Sequence, residues 1–254
     1  MRDTVFKIEE NKRIARDVYE MLLKGDASDI KAPGQFINIK LDGFYLRRPI
    51  SVCDWKNDEI RIIYKVVGEG TKYMSELSRG DELLVLTALG NGYSTETLLN
   101  IIKNEPATRV VLAGGGVGVP PLYGLAKRLS ELGVKPDVVL GFNSSEDVFY
   151  KEEFEVLGLS VKISTMDGSM GVKGVVTDVM KDEKGEPLYD YVFTCGPEPM
   201  LKAVYNAVGD GQFSFEARMA CGFGACMGCS CKTKYGNKRI CKDGPVLYRE
   251  EIIW

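Results

Sequence analysis

Five of the seven cysteines lie between residues 221 and 241, and four of these are spaced in a way few folds can satisfy. Cys221, Cys226 and Cys229 form a C-x4-C-x2-C run, and Cys241 follows after eleven intervening residues. A loop of this kind must wrap several thiolates around one centre. Gly222, Gly224 and Gly228 let it turn closely without Cβ clashes, and the small Ala225 leaves room. The spacing is that of plant-type two-iron two-sulfur (2Fe-2S) clusters. Structural zinc usually takes two separated C-x2-C pairs, and only one such pair is present. A zinc site and free thiols are the competing readings. Cys231 leaves the third ligand open. In an extended segment, residues i and i+2 point the same way, so Cys229 and Cys231 can both face the centre. Cys229 is the one that keeps the plant-type spacing.

The chain contains no histidine. The commonest general acid-base group and metal ligand is therefore missing, and the chemistry falls to cofactors. A net charge of −3 without a Lys/Arg run gives no footprint for nucleic acid. The first residues, Met1 to Ile14, carry no apolar stretch behind their basic residues and do not read as a signal peptide. No apolar run reaches the roughly 20 residues that span a bilayer. These features set the expectation of a cytoplasmic protein with no membrane partner. Cysteines grouped at one end of a long chain also point to a metal or cluster rather than to a disulfide scaffold.

With 254 residues, the chain has room for about two domains and an appendage. Residues 1–98 carry short β-like runs with turn signals between them: 34–39, 59–67 and 82–86. This pattern predicts an antiparallel barrel. Residues 99–210 change character. Arg109-Val110-Val111-Leu112-Ala113 is a continuous apolar run, as expected of a strand covered on both faces. Helical segments then alternate with further strands at 138–140, 161–164 and 191–194, predicting an open parallel α/β sheet. Residues 211–254 hold the cysteines and too few apolar residues for a core of their own, so a bound cluster would supply the missing stabilisation.

Three further motifs carry chemistry. In Arg48-Pro49-Ile50-Ser51 a guanidinium suited to pyrophosphate precedes a hydroxyl that can bond flavin or phosphate. Gly70-Thr71, opening a helix, can offer N–H groups and a hydroxyl to phosphate. Gly114, Gly115, Gly116 and Gly118 follow a buried strand and precede a helix with Pro120 and Pro121 in its first turn. This arrangement lets backbone approach a dinucleotide pyrophosphate. Cys195-Gly196-Pro197 also follows a strand, at the end where ligands sit in parallel sheets, and the thiol can stand near a nicotinamide. A surface arginine, simple turns and a buried cysteine are the ordinary alternatives for these segments.

Taken in order, R-P-I-S, G-x-G-T, G-G-G-V-G-V-P-P and C-G-P-E-P-M resemble the ferredoxin–NADP reductase superfamily. The C-terminal C-G-x-G-A-C-x-G-C and Cys241-Lys242-Asp243-Gly244-Pro245-Val246 narrow the resemblance to electron-transfer subunits of bacterial class 1B, NAD-dependent dihydroorotate dehydrogenases. It spans essentially the whole chain. It implies an FAD-binding barrel, an NAD-binding α/β domain and a small 2Fe-2S domain in an oxidoreductase subunit of pyrimidine biosynthesis. It also implies an FMN-containing catalytic partner that oxidises dihydroorotate, in a heterotetramer of two of each subunit. Carried over to this sequence, Arg48, Pro49, Ile50, Ser51, Gly70 and Thr71 would hold FAD. Gly114, Gly115, Gly116 and Gly118 would line the NAD site, with Cys195, Gly196 and Pro197 opposite, and Cys221, Cys226, Cys229 and Cys241 would hold the cluster. The segment Gly141–Asp147 carries two acids and no Arg, which favours NAD over NADP. Reductase subunits of sulfide dehydrogenase, ferredoxin-linked or hydrogenase type, and a redox-inactive zinc and nucleotide-binding protein, are the alternatives.

Overall fold

In Glu82-Leu83-Leu84-Val85-Leu86-Thr87-Ala88-Leu89 every second residue is buried. In the computed structural model, which describes residues 2–254, this period of two recurs along the N-terminal strands and closes them into a barrel. Its strands are β1 (Asp3–Ala15), β2 (Val18–Lys24), β3 (Phe36–Lys40), β4 (Arg48–Lys56), β5 (Glu59–Lys65) and β6 (Glu82–Leu89). They are ordered β1-β2-β5-β4-β3-β6, all antiparallel, with β6 pairing back to β1. Closure removes the free edges that an open sheet would expose. Phe6, Ile8, Met21, Leu23, Ile37, Ile39, Ile60 and Ile62 fill the interior without measurable exposure. Helix α1 (Glu69–Glu76) connects β5 to β6. The Asn11 side chain donates to the carbonyls of Met74 and Leu77, both at 2.8 Å, satisfying groups that a helix end leaves unpaired.

The second assembly begins with α2 (Thr95–Asn104), capped by Ser94, whose side chain accepts from the Thr97 amide. Strand β7 (Val110–Gly115) is buried at every position, as its unbroken apolar run requires. After it come α3 (Val119–Glu131), β8 (Asp137–Phe142), α4 (Lys151–Val156), β9 (Val161–Thr165) and the two-residue β10 (Val172–Lys173). The series continues with α5 (Val176–Val179), β11 (Tyr191–Cys195), α6 (Glu198–Ala207) and β12 (Asp210–Ser214). These six strands run parallel in the order β10-β9-β8-β7-β11-β12.

Two short strands, β13 (Ser230–Thr233) and β14 (Gly236–Arg239), form a hairpin in the cysteine-rich segment, and β15 (Val246–Tyr248) then joins the large sheet beside β12. Here the sheet departs from the all-parallel expectation, because β15 runs antiparallel to β12. The chain leaves β12 at one end of the sheet, loops through the cysteine lobe and re-enters without a crossover helix, so it must run back. The lobe has no core of its own. Cys229, Ile240 and Cys241 pack into the same apolar cluster as Phe36 of the barrel and Val111 and Phe213 of the sheet. The division expected at residue 98 falls inside α2, and that at 210 on the first residue of β12.

Barrel and sheet meet along α3. A Cβ on Gly124 would lie 2.7 Å from the Cys53 carbonyl oxygen, so only glycine lets helix and strand approach this closely. Lys127 pairs with Asp54 at 2.6 Å, and the buried Glu20 accepts from the Tyr150 hydroxyl at 2.6 Å. Among the described residues, no helix is long and apolar enough to cross a membrane.

Candidate functional site

The two segments expected to serve a flavin meet in space. The Arg48 guanidinium lies over Gly70, where a Cβ would sit 2.2 Å from its Nε. The same guanidinium stands 4.8 Å above the Phe44 ring and donates to the Leu46 carbonyl. Thr71 closes the turn at the start of α1: its hydroxyl accepts from the amides of Val67 (2.9 Å) and Gly68 (3.3 Å). Arg48, Pro49, Ile50, Ser51 and Thr71 line one cavity on the barrel's outer wall, facing Cys195, Ser214 and Glu216 at the ends of the sheet strands. Gly70 reaches this site through its contact with Arg48 and does not line the cavity itself.

A second cavity opens beside it. Gly115, Gly116, Val117, Pro197 and Met200 form one wall, and Asn143, Asp147 and Val176 form the other. In the sheet register Gly114 stands opposite Cys195, so the two glycine-bearing turns expected at a dinucleotide are adjacent. Gly118 is obligatory there, because a Cβ would meet the Cys195 carbonyl oxygen at 2.2 Å. A Cβ on Gly115 would meet Met200 Sδ at 2.5 Å. Gly114 and Gly196 pack beneath these turns, against Val119 and Met200. Val117 and Lys65 belong to both cavities and form the partition between them. Burial pushes the Cys195 thiol up to about 12, with Glu216 adding to the effect, so it stands as a neutral group at this junction. The Glu216 side chain is exposed at the cavity rim, and the protein packed around its carboxyl raises it.

The segment Gly141–Asp147 has an arginine partner from outside the local sequence. Arg16 reaches it from the β1–β2 turn. Its guanidinium binds both Asp147 oxygens, at 3.0 and 2.7 Å, and Glu146 at 3.2 Å. Asp147 also accepts from the Ser144 hydroxyl at 3.1 Å. The acids are engaged, and the guanidinium missing from the local sequence comes from 131 residues away.

In the cysteine lobe the four thiols lie close together: Cys221 beside Cys226, and Cys241 beside Cys229 and near Cys221. Backbone amides point at the sulfurs: Ala225 and Cys226 donate to Cys221 Sγ at 3.3 and 3.5 Å, Gly228 to Cys226 Sγ at 3.5 Å, and Cys241 to Cys229 Sγ at 3.4 Å. Desolvation opposes ionisation of Cys221, but the amides of Cys226, Phe223 and Ala225 outweigh it and bring the thiol down to about 6. Burial, with the Cys229 thiol beside it, pushes Cys241 up to about 12. Gly222 and Gly224 take φ of +76° and +90°, the left-handed conformation this loop needs. Cys231 lies on β13, half-buried beside Cys229, Lys238 and Glu251, and burial raises its thiol.

Four thiols with inward-pointing backbone amides are the donor set a two-iron cluster needs, and the residues present fit it.

Several site residues had no sequence signal of their own. Phe36, Met219 and Pro245 line the first cavity, and Phe36 and Met219 also pack against the apolar cluster containing Cys229 and Cys241. Lys65 ends β5 just before Gly68-Glu69-Gly70-Thr71, and that position is the one hint the sequence held. Glu216 follows β12 at the strand end where ligands bind, a rule that could have picked it out.

Comparison with known proteins places this architecture. Residues 216–253 match the iron–sulfur cluster binding domain of dihydroorotate dehydrogenase B, and residues 112–206 match the oxidoreductase NAD-binding domain. The chain is 47% identical to the electron transfer subunit of dihydroorotate dehydrogenase B (NAD(+)) from Fusobacterium nucleatum, over 96% of each chain. It is 42% identical to that of Bacillus pumilus, over 99% of this chain and 98% of the other. Among solved structures, the NADH-dependent reduced ferredoxin-NADP oxidoreductase superposes with a TM-score of 0.85 at 32% identity, covering 98% of this chain and 90% of that one. The flavohem-like FAD/NAD binding domain of nitric oxide dioxygenase from Vibrio cholerae superposes with a TM-score of 0.65 at 21% identity, over 81% and 92%, which speaks for the fold alone. With two domain models matched and identity sustained from end to end, the chain belongs to the family of electron transfer subunits of dihydroorotate dehydrogenase B.

Proposed function

We propose that this chain is the electron-transfer subunit of an NAD-dependent dihydroorotate dehydrogenase in pyrimidine biosynthesis, relaying electrons between an FMN-containing catalytic partner and NAD⁺. The carrying observation is the shared wall. The barrel cavity and the nucleotide cavity meet at Val117 and Lys65, and the barrel cavity's Phe36 and Met219 pack in the apolar cluster that contains Cys229 and Cys241. Three neighbouring sites, in this order, are what a relay requires.

In this reading FAD occupies the barrel cavity, NAD the nucleotide cavity and a 2Fe-2S cluster the lobe. When bound, the cluster supplies one-electron exchange and the flavin links it to two-electron hydride exchange with NAD. Arg48 and the turn at Gly70-Thr71 neutralise and bind phosphate, while Pro49, Ile50 and Ser51 shape the wall along the flavin. Lys65 adds a positive charge where both ligands are anionic. Gly114, Gly115, Gly116 and Gly118 let the backbone approach the dinucleotide, and Gly196 and Pro197 face it. Cys195, held neutral, keeps a small uncharged group at the junction. Cys221, Cys226, Cys229 and Cys241 hold the cluster, with the amides of Ala225, Cys226, Gly228 and Cys241 stabilising the negative charge on sulfur. The functional units are residues 1–98 for flavin, 99–210 for NAD and 211–254 for the cluster. The partner pairs with this chain as a heterotetramer of two of each. Seven unbridged cysteines go with a reducing, cytoplasmic setting.

The 47% match to a dihydroorotate dehydrogenase subunit, against 32% to the ferredoxin-linked oxidoreductase, favours this partner over the alternatives. The test is anaerobic co-expression with the FMN-containing subunit. The expected result is a 2:2 complex with flavin, about two irons and two sulfides per chain, and dihydroorotate-dependent NAD⁺ reduction. A protein that carries flavin and cluster but neither binds that subunit nor couples to dihydroorotate sinks the partner; one holding zinc and no flavin sinks the relay.

A further inference from the structure

Strand β3 alternates between two environments. Ile37 and Ile39 point into the barrel core, whereas Phe36 and Asn38 face outward, Phe36 onto the flavin cavity. Asn38 is only 1% exposed. It pairs across the sheet with Pro49 of the Arg48–Ser51 segment, and its side-chain Nδ2 donates to the Cys221 carbonyl at 3.4 Å. The opposite orientation of the amide would set oxygen against oxygen, so the donor is fixed. Its Oδ1 is buried with no hydrogen-bond partner. An unpaired buried acceptor is costly, a penalty a purely structural residue at this place has no reason to carry. Gly222 completes the contact, because a Cβ there would fall 2.3 Å from Asn38 Nδ2. The other leg of the lobe is held independently, by the Asn91 amide donating to the Gly244 carbonyl at 2.6 Å.

We propose that Asn38 is a positioning residue for electron transfer: it ties the first cluster cysteine to the strand that forms the flavin wall and thereby fixes the placement of cluster relative to flavin. The inference rests on the function proposed above. A hydride carries two electrons from NADH to the flavin; one of them then moves to the cluster and the other stays behind. Asn38 touches neither cavity, so it acts on the second step and not on the first.

The test uses Asn38→Leu, which keeps the volume and removes both the donor and the unpaired acceptor. Anaerobic stopped-flow of the FAD- and cluster-loaded protein with NADH separates flavin bleaching from cluster reduction. The expected result is bleaching at the wild-type rate and cluster reduction slowed about tenfold or more, the scale of a small misplacement. The thermal midpoint should be unchanged or higher, since an unsatisfied polar group is gone. In the cofactor-free protein, amide exchange across residues 221–226 should speed up. Unchanged cluster reduction and unchanged exchange overturn the inference, as does a variant that slows both steps equally. If Asn38→Leu does not fold, Asn38→Ala, which removes the donor without adding a charge, is read by the same criteria. A wild-type protein that loads neither flavin nor cluster defeats the proposed function instead, and the exchange measurement still decides the role of Asn38.

Discussion

The barrel and the cysteine lobe are held together by different physics. In the barrel, six closed strands bury a continuous set of large apolar side chains, and each strand's alternation agrees with its neighbour's. In the lobe, Cys229, Thr233, Ile240 and Cys241 are the larger buried side chains, and the apolar cluster they join is built by the sheet and by Phe36. Turns at Gly222, Met227 and Gly224, all with positive φ, take the place of regular structure. A region that spends its sequence on thiols and tight turns cannot also build a core. The body should therefore stand without cofactors, whereas the lobe should depend on its cluster.

The largest expected effect breaks that dependence directly. Removing iron by chelation, or replacing Cys226 with Ser, should cut amide-exchange protection across residues 219–242 to a small remainder while the barrel and sheet keep theirs. Cluster affinity should fall by more than about a hundredfold, beyond the cost of losing a supporting hydrogen-bond partner. Cys229→Ser should behave in the same way and Cys231→Ser should retain the cluster, since it is the Cys229 sulfur that accepts from the Cys241 amide and stands beside the Cys241 thiol. Global unfolding on iron removal would show that the lobe supports the body, the reverse of the comparison.

The body's sensitivity lies at its close approaches. Gly118→Ala sets a Cβ 2.2 Å from the Cys195 carbonyl oxygen, a backbone atom that cannot swing aside. The expected cost is about 3 kcal/mol in denaturant unfolding, with weakened NADH binding. Gly209→Ala, with no atom near its added Cβ, should stay within about 0.5 kcal/mol. Equal losses at the two positions would mean that the turn at Gly118 is looser than its geometry requires.

These two regions were also read from the sequence by different routes. Barrel strands such as β6 and the fully buried β7 were visible because burial imposes a period of two, or none, on the residues themselves. The lobe was visible only through ligand spacing, which names Cys221, Cys226 and Cys229 without saying which of Cys229 and Cys231 turns inward. The antiparallel β15 was not legible, since three residues at the end of a long loop carry no register. Arg16, Lys65 and Asn38 were missed for a common reason. Each acts on a site built mainly by residues distant in sequence, and no local pattern marks such a contact.

Arg16 gives the third prediction, at the seam between barrel and sheet. Asp147 occupies the guanidinium with a two-oxygen ion pair. Asp147→Asn should release Arg16 beside the nucleotide cavity and raise the NADPH-to-NADH ratio of kcat/KM about tenfold, the worth of one charge-assisted hydrogen bond. An unchanged ratio would assign the ion pair to joining the two domains and remove it from nucleotide choice.

The smallest effect sits on the barrel rim and shows how little surface charge adds where packing already suffices. Hydrogen bonds from Lys24 and then Lys56 hold the Glu59 carboxyl down to about 2, against the opposing pull of burial. A carboxyl whose folded pKa is depressed stabilises the fold above its unfolded value near 4.5, and that contribution is lost as the pH falls from there towards about 2. Lys24 and Lys56 are themselves open to solvent, so screening limits the contribution to roughly 0.2–1 kcal/mol. Glu59→Gln should therefore lower the unfolding free energy slightly at pH 7 and match the wild type near pH 2. A difference that persists at pH 2 would point to packing of the side chain and not to its charge.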